Sequence, residues 1–309
     1  QCERCGAEEY VPPANGRLQE PHECAGCERQ GPFTHAADSL VVTLPTGLGT
    51  AQIDSLRIHY EGVPLQPAYD RGLMFKRHHD YAGQPPENRG PIVANLSQPA
   101  YAQSWWPCKD KPGDKATARI ELTVPDDLIA VSNGTLVSSG TAGDGTGWRT
   151  FVWREDHPIA TYLVSVAISD YVLLQSECTT SLGTAVPLRN WVFAPDAAAA
   201  AVDFEPLCDM MDFCEGYFGP YPFAGEKYGH AEFLWGGAME HQTVTSLGQA
   251  FLDGDGQNDW IIVHELAHQW FGDSLTPAAW ADIWLNEGFA TYSEALWYEA
   301  IDGAAAYRQ

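Results

Sequence analysis

Long apolar runs are missing from this chain: nowhere in its 309 residues is there the stretch of ~18 apolar residues that a membrane-spanning helix needs. Positive charge is scarce as well. Seventeen Lys and Arg stand against 41 Asp and Glu, a net charge of −24, so there is no basic footprint to neutralise phosphates and a nucleic-acid partner is disfavoured. The acid excess reads first as a solubility device; attraction for cationic peptides is the sharper alternative, and nothing else in the sequence singles it out. No internal repeat occurs, and no low-complexity tract beyond a short Ala run. An initiator Met and a signal-peptide pattern are also lacking, which leads to the expectation of a removed leader or a start inside a longer polypeptide. What is present is ordinary for a globular protein: 45% apolar and 19% charged residues, with length for about two domains.

The eight cysteines fall into two groups. Cys2, Cys5, Cys24 and Cys27 form two C-x-x-C pairs in polar text, a spacing at which four thiolates can share one tetrahedral zinc. Disulfides, in an exported protein, and free thiols are the competing readings. Cys108, Cys178, Cys208 and Cys214 lie in scattered contexts that suit buried or paired cysteines, not catalytic ones.

Residues 39–60 read as two strands, the second alternating toward an apolar face with Ile53, Leu56, Ile58 and Tyr60. Residues 61–115, rich in Pro, Gly and polar residues, read as long loops. Strands resume from ATARIELTVP to AVPLRNWVF, parted by turn signals such as Asn133-Gly134, and suggest a β-sandwich or saddle. Beyond Pro195 the character changes. DAAAAAVDFEPLCDMMDFCEGYFG reads as one long helix broken at Gly219-Pro220, KYGHAEFLW and AMEHQTVTSL as strands, and NDWIIVHELAHQWFG and NEGFATYSEALWYEAI as helices. The expected fold is therefore α+β: a Cys-rich segment over 1–30, a β-sandwich saddle over 31–190, and a mixed α/β region over 191–309.

His264-Glu265-Leu266-Ala267-His268 is an H-E-x-x-H pattern. Residues four apart share one face of a helix, so both imidazoles can reach one ion with Glu265 beside it. Trp260 through Val263 before it, and Trp270 and Phe271 after it, predict a buried helix that Gly272 ends. Two satisfied histidines on a core helix would show the same pentapeptide. Glu287 alters that balance, because it opens a second helix after a loop long enough to return it to the pair. Two His, one Glu and an open position form the ligand set of a catalytic zinc. Glu294, seven residues past Glu287 on the same helical face, and Asp273 are candidates for orienting the ligands.

HELAHQWFGD followed by WLNEGFA resembles the gluzincin aminopeptidases, the family of aminopeptidase N and leukotriene hydrolase. Gly237-Ala238-Met239-Glu240-His241 is similar to the family's Gly-Ala-Met-Glu-Asn motif, and QPAYAQSWWPCKDKP to its segment ending Pro-Cys-x-Asp-x-Pro. The resemblance spans roughly residues 39–309. It implies a saddle domain followed by a thermolysin-like catalytic domain, with His264, His268 and Glu287 on zinc. It further implies that Glu240 and Gln98 bind the free amine of a peptide and that Gly237, Ala238 and Met239 line it. Zinc then lowers the pKa of a water from which Glu265 removes a proton. A carboxylate at a fixed distance from the metal explains the removal of a single residue.

The chain departs from the family pattern in three places. His241 stands where the motif has Asn, and it keeps both a donor and an acceptor. The double C-x-x-C segment stands where the family has further strands. The family's oxyanion-stabilising Tyr lies well past the glutamate ligand; Tyr292, Tyr298 and Tyr307 come too early for it. An oxyanion donor is commonly worth ~3–4 kcal/mol, so the expectation is a piece of a longer enzyme, truncated on its C-terminal side and impaired by itself. A thermolysin-type endopeptidase is the nearest rival, which the amine-binding motif disfavours. A non-catalytic scaffold would have shed a ligand or Glu265, and none is missing; a zinc-ribbon module would account for residues 2–27 alone. Localisation stays open, although the Met-Glu-His-Gln variant is similar to exported bacterial members.

Overall fold

Alternation of apolar and polar residues builds the first half of the molecule. The computed structural model describes residues 33–36, 39–43, 56–65, 70–78, 90–141 and 145–308; Cys2, Cys5, Cys24 and Cys27 lie outside them. Residues 1–61 form one unit and residues 62–309 a second, larger one. The first unit contributes an antiparallel hairpin of β1 (Phe33–Ala36) and β2 (Ser39–Val42). The strand expected over 51–60 does not form at its described end. Leu56, Ile58 and Tyr60 are exposed there, and alternation alone makes no ladder where no packed face receives it.

In the second unit, β3 (Gly72–Arg77) and β4 (Pro91–Leu96) pair antiparallel where long loops were expected. The Pro that argued against a strand sits at the first residue of β4, a position with no ladder donor to lose. β5 (Ala116–Pro125) alternates strictly, with Ala118, Ile120, Leu122 and Val124 turned inward. It pairs with β8 (Trp148–Ile159), whose other edge takes β7 (Thr135–Thr141). β6 (Ile129–Ser132) and β9 (Val166–Ser169) complete a four-stranded sheet in the order β3-β4-β9-β6. Met74, Ile92, Ala94, Ala130 and Val131 from one sheet and Val124, Phe151 and Trp153 from the other fill a shared core.

A third sheet supports the site. β10 (Val172–Thr179), β11 (Ala185–Val192), β12 (Tyr228–Phe233), β13 (Ala238–Met239) and β14 (Thr245–Gly248) lie in the order β10-β11-β12-β14-β13. Its first two strands come from upstream of the division expected near residue 190. β12 runs parallel to both of its neighbours and is buried along its whole length, as strands covered on both faces are.

The long helix expected after Pro195 is two: α1 (Ala197–Asp203) and α2 (Leu207–Phe218). Pro206 accounts for the break, because it cannot donate to the ladder and disfavours helical geometry at the residue before it. Cys178 on β10 and Cys208 on α2 form a disulfide. Cys108 and Cys214 are free thiols; burial and then Asp110 push Cys108 up to about 12, which leaves it unreactive at neutral pH. α3 (Asp259–Ala267) and α4 (Trp284–Asp302) pack together. The second core lies between the third sheet and α1, α2 and α3, with Trp297 of α4 closing it.

Candidate active site

α3 is apolar around most of its circumference, burying Ile261, Ile262, Val263, Leu266 and Ala267. Polar side chains on such a helix need partners, since unpaired burial is costly. His268 caps α3 and is itself still helical, so it lies directly over His264 and the two Nε2 atoms stand 3.0 Å apart. The outer nitrogen of each ring has an acceptor. His264 Nδ1 is 2.6 Å from Glu294 Oε1 and His268 Nδ1 is 3.1 Å from the Phe271 carbonyl. Carboxylate and carbonyl oxygens only accept, so each Nδ1 carries a hydrogen and each neutral ring presents an Nε2 lone pair inward.

Glu287, in the first turn of α4, brings Oε2 to 3.5 Å from His264 Nε2 and 3.7 Å from His268 Nε2. The three atoms lie on a circle of about 2.0 Å radius, the spacing left by ligands ~2.0–2.1 Å from a tetrahedral zinc. Three converging lone pairs repel one another unless a cation lies among them, so the donor set fits zinc. Without metal a proton takes that part. Burial works to lower the His264 pKa, but the Glu287 and Glu294 carboxylates outweigh it and push the ring up to about 10. The same contact with His264, foremost among several, holds Glu287 below the usual carboxylate range.

Glu265 is buried beside this triangle and its Oε2 makes no hydrogen bond. Burial, then the Glu240 charge, raises its carboxyl well above the ordinary range. Glu240, also buried, accepts a hydrogen bond from Asn286 Nδ2 (3.0 Å). Glu240, Glu265 and His268 each offer an atom within 4.8 Å of the others. The Gln98 side chain adds to what lowers Glu287, so it lies beside that carboxylate. Ala238 and Met239 form the edge strand of the third sheet, with Gly237 just before it. Gly237 O accepts from Gly248 N–H (2.9 Å), and Met239 is packed inside the first core. His241 bonds Ser246 Oγ at 2.9 Å, and burial takes its ring down to about 3, so it stays neutral.

Of the two orienting candidates, Glu294 meets a histidine and Asp273 does not. The position on His268 that Asp273 was expected to take is held by the Phe271 carbonyl. Asp273 instead donates its N–H to the His268 carbonyl (3.0 Å), and its own carbonyl accepts from Lys115. The tight exit from α3 explains the outcome. Gly272, at φ +131°, lies so close to Asn286 that a Cβ there would stand 2.3 Å from Oδ1, and the turn folds the Phe271 carbonyl back onto the ring. Replacing Glu294 by Ala should weaken zinc binding roughly 10–100-fold, the usual loss for an outer-shell partner, measured by competition with a chromogenic chelator. An unchanged affinity would show that the 2.6 Å contact does not orient His264.

Two site neighbours were not among the expected site residues. Asn286 is buried with Oδ1 unbonded, and the only signal was its place next to Glu287. The Tyr162 hydroxyl is buried without a hydrogen bond; burial, then Glu240, Asp273 and Glu287, raises its pKa well above normal.

A buried helix pair that gathers His, His and Glu from H-E-x-x-H and a later glutamate, on a mixed sheet behind a β-rich region, defines a zinc-metallopeptidase type of site. Residues 28–163 match the family model described as the peptidase M1 N-terminal domain, and residues 203–309 match the peptidase family M1 domain. The chain belongs to peptidase family M1. Aminopeptidase B of Mus musculus is 30% identical over 94% of this chain and 41% of its own length. Endoplasmic reticulum aminopeptidase 1 of Homo sapiens is 31% identical over 66% of this chain and 22% of its own. Among solved structures, the M1 zinc metallopeptidase of Deinococcus radiodurans is similar, with a TM-score of 0.62 and 30% identity, over 70% of this chain and 48% of that one. The chain thus spans less than half the length of each of these relatives. No helix among the described residues is long and apolar enough to cross a membrane.

Proposed function

We propose that this chain carries the zinc- and amine-binding part of an aminopeptidase that removes the N-terminal residue from peptides. The observation that carries the reading is the placement of Glu240, which stands with Glu265 and His268 in one cluster and is held by Asn286. A buried carboxylate one residue's reach from the metal ligands suits a substrate ammonium. His264, His268 and Glu287 would hold zinc, which when bound supplies Lewis acidity to a water and to the scissile carbonyl. Glu265 takes a proton from the attacking water and returns it to the leaving amine. Glu240 binds the α-ammonium with help from Gln98, and the edge strand with Gly237, Ala238 and Met239 lies along the peptide.

In this reading strands β3 to β9 belong to the saddle and the chain from β10 onward to the catalytic portion. The Cys178–Cys208 disulfide favours an oxidising compartment.

Aminoacyl anilides with a free amine, compared with their N-acetyl forms, test the proposal. The free-amine substrate should be hydrolysed roughly a hundredfold better, the worth of a lost charge-assisted hydrogen bond, and Glu240→Ala should close most of that gap. Equal turnover of the two forms would turn the reading to an endopeptidase.

A further inference from the structure

The segment that carries Glu240 ends in a strained residue. Thr243 has φ +64°, in the left-handed region that β-branched residues avoid, and such a residue persists only where its surroundings over-determine it. Every polar group of Thr243 is engaged. Its N–H donates to Gln269 Oε1 (2.8 Å), and Gln269 follows His268 directly. Its Oγ1 accepts from the Gly134 N–H (2.8 Å) and from Lys227 Nζ (3.2 Å), and its carbonyl accepts from Lys227 Nζ at 3.5 Å.

Lys227 is an unusual residue to find there. It is 4% exposed, and its ammonium also donates to the Ser132 carbonyl (3.0 Å). The ammonium lies over the rings of Trp153 (5.1 Å) and Trp191 (5.9 Å). Burial pulls its pKa down to about 7, against the buried carboxyls of Glu155 and Glu226, which favour its charge. Burying an ammonium is costly unless its donors are used; here Ser132 takes the shortest contact and Thr243 the other two. The β6–β7 turn adds a second tie, since Asn133 Nδ2 donates to the Gln242 carbonyl (2.6 Å). Residues 240 to 243 are therefore held from three sides: by Asn133 and Gly134 of the β6–β7 turn, by Lys227 just before β12, and by Gln269 just past the helix of the histidines.

We propose that Lys227 is a positioning residue for the amine anchor: through Thr243 it sets the Glu240 carboxylate at its distance from His264, Glu265 and His268. Lys227 touches neither metal nor substrate, and its effect passes entirely along the chain from Thr243 to Glu240. The inference rests on the reading of Glu240 as the ammonium-binding group.

Its test measures the part of the affinity that the amine supplies. Zinc-loaded protein is titrated with L-leucine hydroxamate and with the same hydroxamate lacking the amino group, and the ratio of the two dissociation constants is the readout. In the parent the amino form should bind at least tenfold more tightly. Lys227→Met should cut that ratio about fivefold or more while leaving zinc content and the des-amino affinity within twofold. Thr243→Ala, which removes only the shared acceptor, should move the ratio the same way and decides the matter if Lys227→Met does not fold. An undiminished ratio in both variants overturns the proposal. Equal weakening of both hydroxamates overturns it too, because the effect would then lie on the metal set. A parent with no preference for the amine sinks the Glu240 reading itself, and this inference with it.

Discussion

Glu265→Gln should keep its zinc and its fold while losing peptide hydrolysis by about three orders of magnitude, within the 10²–10⁴ commonly supplied by a general base. The substitution is nearly isosteric, so the packing beneath α3 is undisturbed. It removes a carboxylate that has no hydrogen bond on Oε2 and whose charge is opposed by burial and by Glu240 more than it is favoured by His264. What disappears is the capacity to take a proton from water and return it to an amine. Paired kcat and zinc measurements separate this from a metal effect: a variant that loses zinc in step with activity would make Glu265 part of the metal set. A KM for free-amine substrates that stays within about threefold would further separate the base from the amine anchor, since Glu240 keeps its Asn286 partner.

The chemistry-bearing residues were the most legible part of this molecule, for a geometric reason. The spacing of His264 and His268 is set by the helix alone, and one connecting loop and one further helix fix Glu287 and Glu294, so local periodicity carries them into one site. Groups delivered by backbone turns left no trace. The acceptor on His268 is a carbonyl, Phe271, presented by a turn that depends on the close approach of Gly272 to Asn286. Glu240 and Asn286 lie 46 residues apart and meet only in the tertiary fold. The misread elements share a cause. β3 and β4 were hidden by Gly and Pro at their ends, Leu56–Tyr60 shows alternation with no buried face, and Pro206 was overlooked inside an otherwise strong helical run. In each case a single breaker or a missing packing surface outweighed composition.

Glu287→Ala should weaken zinc binding by two to three orders of magnitude, if ~10–16 kcal/mol of structural-zinc affinity is shared among about four ligands. It should also flatten the pH dependence of that binding. In the parent, metal-free His264 is pushed up to about 10 by Glu287 and Glu294 against the opposing effect of burial, so zinc must displace a proton through the neutral range. A group whose metal-free pKa lies above the working pH makes apparent zinc affinity rise about tenfold per pH unit, until the pH reaches that pKa. Acid therefore weakens the metal site and alkali strengthens it up to about pH 10. Removing Glu287 deletes one of the two carboxylate contacts that hold the proton on His264, so the ring's pKa falls and less of the range is spent displacing it. The variant should then bind zinc more weakly than the parent at every pH, with the gap narrowest in acid. Calorimetric titration in buffers of different protonation enthalpy measures the same effect as protons released: close to one per zinc at neutral pH in the parent, and fewer in the variant. Parallel pH profiles for the two proteins would mean that Glu287 does not face His264 in the metal-free site, and with that the three-atom geometry on which the zinc assignment rests would be lost.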